Sequence, residues 1–284
     1  MPPREINKHQ IFALPKQAVC KAISTLSDGL KGIFMKQAFI YTDDKSQKFW
    51  IIDSAGNDIM VNFGKLGTNG RFQITEYADE TECQKAADKL ILQKTKKGYK
   101  PASDFNFIDR FYFDNEEYGL HRKASHPHFV RYLTDDFYHD CGDEEAPFGS
   151  DEGSDALYEL EQAFRKNADL DTLTFPQKLI CEYWGMDYLP PQADQTAESI
   201  AELCKQQGIE VYQSDKVIIA TAFGSIKITG RLKPELQQLA LLAIQRLDVL
   251  AQLRGWCAVN TRSEISRQMA DDSQRFATET TVFS

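Results

Sequence analysis

Phe63, Gly64 and Lys65 open the stretch Phe63-Gly64-Lys65-Leu66-Gly67-Thr68-Asn69-Gly70, where an aromatic ring and an ammonium flank a glycine-punctuated turn. A ring so placed can stack on a ribose or an unpaired base, because every base offers a π-face. The Lys65 ammonium can meet phosphate as a point charge, without the bidentate fork of arginine. Gly64, Gly67 and Gly70 let the backbone approach closely or turn with positive φ. Arg71, Lys94, Lys96, Lys97 and Lys100 add electrostatic reach downstream. Stacking joined to phosphate attraction is the chemistry on offer. The same residues also fit a plainer account, a buried phenylalanine in a hairpin beside lysines that cap a helix. Residue types alone leave both open.

Two other clusters invite a chemical reading. Four of the five histidines fall between His121 and His139, with Cys141 just beyond. His126 and His128 would face the same way if extended, yet the spacing matches no zinc-site pattern. A solvated connector with no metal is the expectation. From Tyr132 to Phe164 there is no Lys or Arg, while acidic residues crowd Asp135 to Asp155. Asp140-Cys141-Gly142-Asp143-Glu144-Glu145 lacks the alternating order of a calcium loop. Gly149-Ser150-Asp151-Glu152-Gly153 has its serine one place early for a nucleophile elbow. The expectation is a solvated helix-entry loop; a sharper possibility is an acidic face that docks on the basic half of the chain or on a basic protein partner. Phosphate-loop, dinucleotide and zinc-protease motifs are all missing, so no catalytic residue, metal or cofactor is expected.

Short elements must position these groups. Phe34 to Tyr41, Lys48 to Asp53, Ile59 to Phe63 and Arg71 to Tyr77 read as strands joined by polar turns, an antiparallel meander with one face to cover. A helix over Asp79 to Lys97 would cover it, with Cys83, Ala86, Ala87 and Leu90 on its apolar face and its charges matched to the macrodipole. Lys16 to Leu26 suggests a short amphipathic helix. Ser154 is the expected N-cap of a helix through Lys166, and Leu173 to Trp184 suggests another. Thr196 to Gln207 reads as a helix closed by Gly208. Ile209 to Gln213, Lys216 to Ala222 and Ser225 to Thr229 read as three strands. Pro234 fits the first turn of a long apolar helix ending near Gly255.

The Phe63-Gly64-Lys65 triplet, the spaced glycines after it, and Lys94, Gly98 and Tyr99 downstream together resemble the WGR domain. Phe stands here in place of its Trp and Lys in place of its Arg. The Ala146–Leu157 segment resembles the C-terminal part of uncharacterised bacterial WGR proteins of the YfeS type. In poly(ADP-ribose) polymerases the domain binds nucleic-acid ends. The resemblance therefore implies an antiparallel sheet with one helix, and a DNA- or RNA-binding site at Phe63, Gly64, Lys65, Gly67, Arg71, Lys94 and Lys97. No transferase segment accompanies it, so the polymerase activity is not implied.

At 284 residues the chain can bury two cores. Residues 1–101 carry 16 Lys and Arg against 11 acidic residues, and residues 102–284 carry 17 against 31. A net charge of −9 thus conceals a basic first half, and phosphate responds to local surface. Residues 1–17 have scattered charges and no apolar core, and no apolar run is long enough to span a bilayer, so neither a secretory signal nor a membrane is expected. Six widely separated cysteines fit reduced thiols and a cytoplasmic protein. The expected fold is α+β: an arm and short helix (1–32), a WGR-like domain (33–115), a connector (116–131), an acidic α+β domain (132–257) and a polar, disordered tail (258–284). The expected function is non-enzymatic nucleic-acid binding, with a protein-interaction or regulatory module as the alternative.

Overall fold

A computed structural model describes residues 36–115, 117–256 and 263–281. The arm and short helix expected before residue 33 lie outside these. The meander forms as the alternation requires: β1 (Gln37–Thr42), β2 (Gln47–Asp53), β3 (Asp58–Lys65) and β4 (Arg71–Glu76), each antiparallel to the next. Lys100–Pro101 adds a two-residue strand β5 beside β1, giving the order β4-β3-β2-β1-β5. Proline is tolerated there because the strand is at the sheet edge.

Helix α1 (Glu80–Lys96) crosses one face of the sheet. The Asp79 carboxylate accepts from the Glu82 N–H at 2.8 Å and caps its start. Phe39, Trp50, Ile52 and Ile59 pack on this side against Cys83 and Ala87. The opposite face carries Ala38, Phe49, Ile51, Met60 and Phe72, which join Tyr112, Phe113 and Phe129 in a core continuous with the helices that follow. Both faces of the sheet are therefore covered.

From Arg122 onward every described element is helical, so the α+β arrangement comes from a sheet followed by helices. Helix α2 (Pro127–Tyr132) is short. Helix α3 (Asp151–Lys166) starts one turn before the expected place: Ser150, not Ser154, caps it, accepting from the Gly153 N–H at 3.1 Å. The glycines there permit tight entry, since a Cβ at Gly153 would meet the Pro147 carbonyl oxygen at 2.5 Å. Phe175–Lys178 forms α4, extended by a π-type turn over Leu179–Tyr183.

The three strands expected between Ile209 and Thr229 do not exist. That stretch is part of one 33-residue helix, α5 (Ala197–Thr229), kinked at Gln207, where the expected helix end leaves only a local break. Its segment from Ser214 to Ile228 is buried on every side, so apolar residues recur without the three-to-four spacing that marks a half-exposed helix. The short acidic α+β domain is thus a helical region. Helix α6 (Pro234–Leu253) matches expectation. The tail expected to be disordered forms helix α7 (Glu264–Thr281), held by buried Met269 and Phe276.

Candidate nucleic-acid interface

The C-terminal turn of α1 lies over the end of the sheet where β1 finishes, β2 begins and β3 finishes. Alternation along β3 puts Phe63 and Lys65 on the α1 side with Ile59 and Val61. Lys65 is directly opposite Lys48, and Phe63 is opposite both Trp50 and Arg71. Lys48, Lys65, Arg71 and Lys97 are exposed, and Lys94 is half-buried. None of the five makes a salt bridge among the described residues.

Lys94 organises the corner. Its ammonium lies 5.3 Å from the Trp50 ring centroid, 5.9 Å from that of Phe63 and 5.1 Å from that of Tyr99. Such contacts are attractive through the ring quadrupole. Partial burial lowers the Lys94 pKa, and Lys97 and Lys48 lower it further, which places those three cations within one electrostatic neighbourhood. Tyr41 extends the aromatic floor, its ring centroid 5.4 Å from that of Tyr99.

Phe63 is consequently not a free stacking surface. Its half-buried ring packs into the α1-side core and forms part of the floor beneath Lys94. Gly64, Gly67 and Gly70 shape the turn. A Cβ at Gly64 would stand 2.8 Å from the Gly70 Cα, and one at Gly70, where φ is +72°, would stand 2.6 Å from the Phe49 ring. Gly67, with φ +84°, faces open space.

Three residues missed by sequence reasoning complete the corner. Lys48 could have been found from the strand register that pairs it with Lys65. Asn62 is buried in β3, and its amide donates to the Asn69 and Arg71 carbonyls at 2.9 and 3.1 Å. An asparagine at an inward strand position was the available signal. Arg110 donates to Asn62 Oδ1 at 3.0 Å and Asn69 O at 3.1 Å, and its guanidinium lies 4.3 Å from the Phe49 ring centroid. It clamps the turn from the far face.

The histidine segment is not a solvated connector. His126 is fully buried, its Nδ1 accepts from the His128 N–H at 3.0 Å, and its Nε2 lies 2.8 Å from the Ile108 carbonyl. Burial brings its pKa down to about 4. His121 instead pairs with Asp58 at 2.7 Å. The histidines therefore dock the segment onto its neighbours rather than meeting water. Among the described residues no His, Cys, Asp and Glu group is arranged to hold a metal ion. The acidic block is partly anchored inward, because buried Lys216 donates to the Glu144 and Ala146 carbonyls.

A strand-turn-strand corner backed by a single helix is the architecture of a WGR domain, and the WGR family matches residues 35–106. The Escherichia coli protein YfeS, itself uncharacterised, is 46% identical over 242 residues, covering 85% of this chain and 98% of that protein. The chain belongs to the WGR-domain proteins of the YfeS type. A second Escherichia coli protein, YehF, is 46% identical over 61 residues, 22% of each chain. A solved structure from Bacteroides fragilis is 30% identical and covers 45% of this chain and 39% of its own, with a TM-score of 0.24. No helix among the described residues is long and apolar enough to cross a membrane.

Proposed function

We propose that the corner bearing Lys48, Lys65, Arg71, Lys94 and Lys97 binds nucleic acid, contacting phosphates along an end or a single strand. WGR domains generally bind nucleic acids, and this chain carries one. The observation that carries the reading is five cations gathered on one corner without salt bridges among the described residues. Phosphates neutralised by such cations release counterions, which gives affinity with a steep salt dependence. Lys94, steadied by its aromatic floor, is the most constrained of the five, and Tyr99 and Tyr41 supply ring surface beside it. The protein acts as a binder in the cytoplasm and catalyses no reaction.

The test is anisotropy of a labelled short DNA duplex titrated with the full chain at about 50 and about 200 mM salt. The expected result is binding that weakens at least tenfold across that range and is largely lost in Lys65→Ala/Lys97→Ala. Both side chains are exposed, so the variant should fold. Absence of binding at low salt would overturn this reading and favour the protein-interaction alternative.

A further inference from the structure

A groove outside the corner has no part in the reading above. A cavity of about 530 Å³ lies between α3 and residues 114–115 and 118–120, bounded by Tyr118, Tyr158, Gln162 and Arg165 among others. A second, of about 210 Å³, reaches Gly70 and Arg71 and shares Asp114, Asn115 and Arg165 with the first. The two adjoin through those shared residues beside β4. The smaller one reaches Arg71, which pairs with Phe63 across the β3–β4 ladder. The groove therefore begins where the basic corner ends.

Its chemistry is specific. Tyr118 is 38% exposed and Tyr158 59%, so both rings present free surface. The Tyr118 hydroxyl donates to the Glu76 carboxylate, which steadies that ring. Gln162 offers a donor and an acceptor on one amide. Two of its carboxylates are matched within the fold: buried Lys227 lies 2.8 Å from Asp114 and 3.4 Å from Glu161, while exposed Glu117 lines the smaller cavity beside Arg71. The other Glu161 oxygen is 3.8 Å from Arg165. The Asp114 N–H and the His121 N–H bond the two carboxylates at 2.9 and 3.3 Å. Asp114 and Glu161 are thus occupied, whereas Arg71 in the smaller cavity makes no salt bridge among the described residues. Exposed rings, a cation at the mouth and an amide inside are the elements that take unpaired nucleotides. The larger cavity falls in the ordinary range of ligand sites, about 300–1,000 Å³.

We infer that this groove is a second subsite, which takes unpaired nucleotides of a strand whose adjoining phosphates sit on the basic corner. The inference rests on the proposed function and adds a preference to it: a single-stranded extension is bound more tightly than a blunt end. Arg71 hands the strand from corner to groove, and Tyr158 stacks on a base within it.

The test compares a blunt labelled duplex with one bearing a short single-stranded extension, using the full chain and the Tyr158→Ala and Tyr158→Phe variants. Tyr158 is exposed, and circular dichroism would establish that each variant is folded. The expected result is about fivefold or greater preference for the extension, lost in Tyr158→Ala and retained in Tyr158→Phe, with blunt-end affinity unchanged throughout. Equal affinity for both duplexes, or a preference that survives Tyr158→Ala, overturns the groove while leaving the corner standing. No binding to either duplex overturns both. A free nucleoside monophosphate that binds with the same Tyr158 dependence, and competes with neither duplex, would make the groove a small-molecule site and overturn its link to the corner.

Discussion

The Lys94 ammonium stands 5.9 Å from the centroid of the Phe63 ring. The residue that looked suited to stacking on a ligand is instead part of the support for a cation. Phe63→Ala should therefore act on both stability and binding. Truncating this half-buried ring is expected to cost about 2 kcal/mol in urea unfolding, below the full-burial range, and to weaken DNA binding by releasing Lys94. Phe63→Trp keeps an aromatic floor and should preserve binding. Equal losses of binding in both variants would contradict the supporting role.

Glycines of the turn should differ in cost. Gly70→Ala meets both a left-handed φ and a clash with the Phe49 ring and the Phe63 carbonyl oxygen, each at 2.6 Å. Gly67→Ala meets only the φ penalty, about 1 kcal/mol. Thermal unfolding should rank Gly70→Ala well below Gly67→Ala, by at least another 1–2 kcal/mol or so.

Stability should carry a pH signature from Asp114. One buried ammonium, Lys227, faces the largely shielded Asp114 and the buried Glu161, and desolvation raises the Asp114 pKa from 3.8 to about 7. Burial alone would lower the Lys227 pKa, but Asp114 and Glu161 outweigh it and hold it above its ordinary value. Because the Asp114 pKa is higher folded than unfolded, its contribution is fully present below about 4 and is lost as pH rises towards 7. Asp114→Asn should therefore gain stability relative to the parent between those limits and hold a constant difference above them. Urea midpoints at a series of pH values would show it, and a pH-independent difference would refute it.

The same triad predicts a large effect of Lys227→Met. Removing this buried ammonium leaves Asp114 without its cation and Glu161 with only the Arg165 guanidinium at 3.8 Å, at a cost of about 3–5 kcal/mol. Lys205, paired with Glu202 on the surface at 2.5 Å, provides the control: Lys205→Met should change stability by less than about 1 kcal/mol. Chemical denaturation of the two variants side by side tests the contrast.

Each exposed cation of the corner should leave a separate trace in the salt dependence. Lys48→Ala, Lys65→Ala or Lys97→Ala is expected to lower the slope of log affinity against log salt by about one for each phosphate contact removed. A variant that weakens binding with an unchanged slope would place its lysine outside the phosphate path.

The WGR sheet was legible because β1, β3 and β4 mix buried with exposed positions, β2 is a short run of aromatic and β-branched residues buried on both faces, and the turns carry Gly, Asn and Asp. Helix α5 was not. Val217, Ile218, Ile219, Ile226 and Ile228 are β-branched and buried on all sides, so composition suggested strands and periodicity could not correct it. Gly224 looked like a turn, yet it marks close packing of helices, where a Cβ would stand 2.9 Å from Leu160. In α7 the stripe was present but sparse: Ile265, Met269, Ser273 and Phe276 follow helical spacing within a polar sequence. Of the corner, the loop glycines and the cations Lys65, Arg71, Lys94 and Lys97 could be named from sequence. The capture of Lys94 by Trp50, Phe63 and Tyr99 depends on where α1 ends over the sheet, which no local pattern reports.

A sheet walled on both faces leaves recognition to its rim. Rim contacts cover little area, so affinity there must come from charge density more than from buried surface. Charge speeds encounter more than it prolongs residence. A binder of that kind would meet its partner quickly and release it readily as salt rises, a temperament suited to brief and repeated contacts.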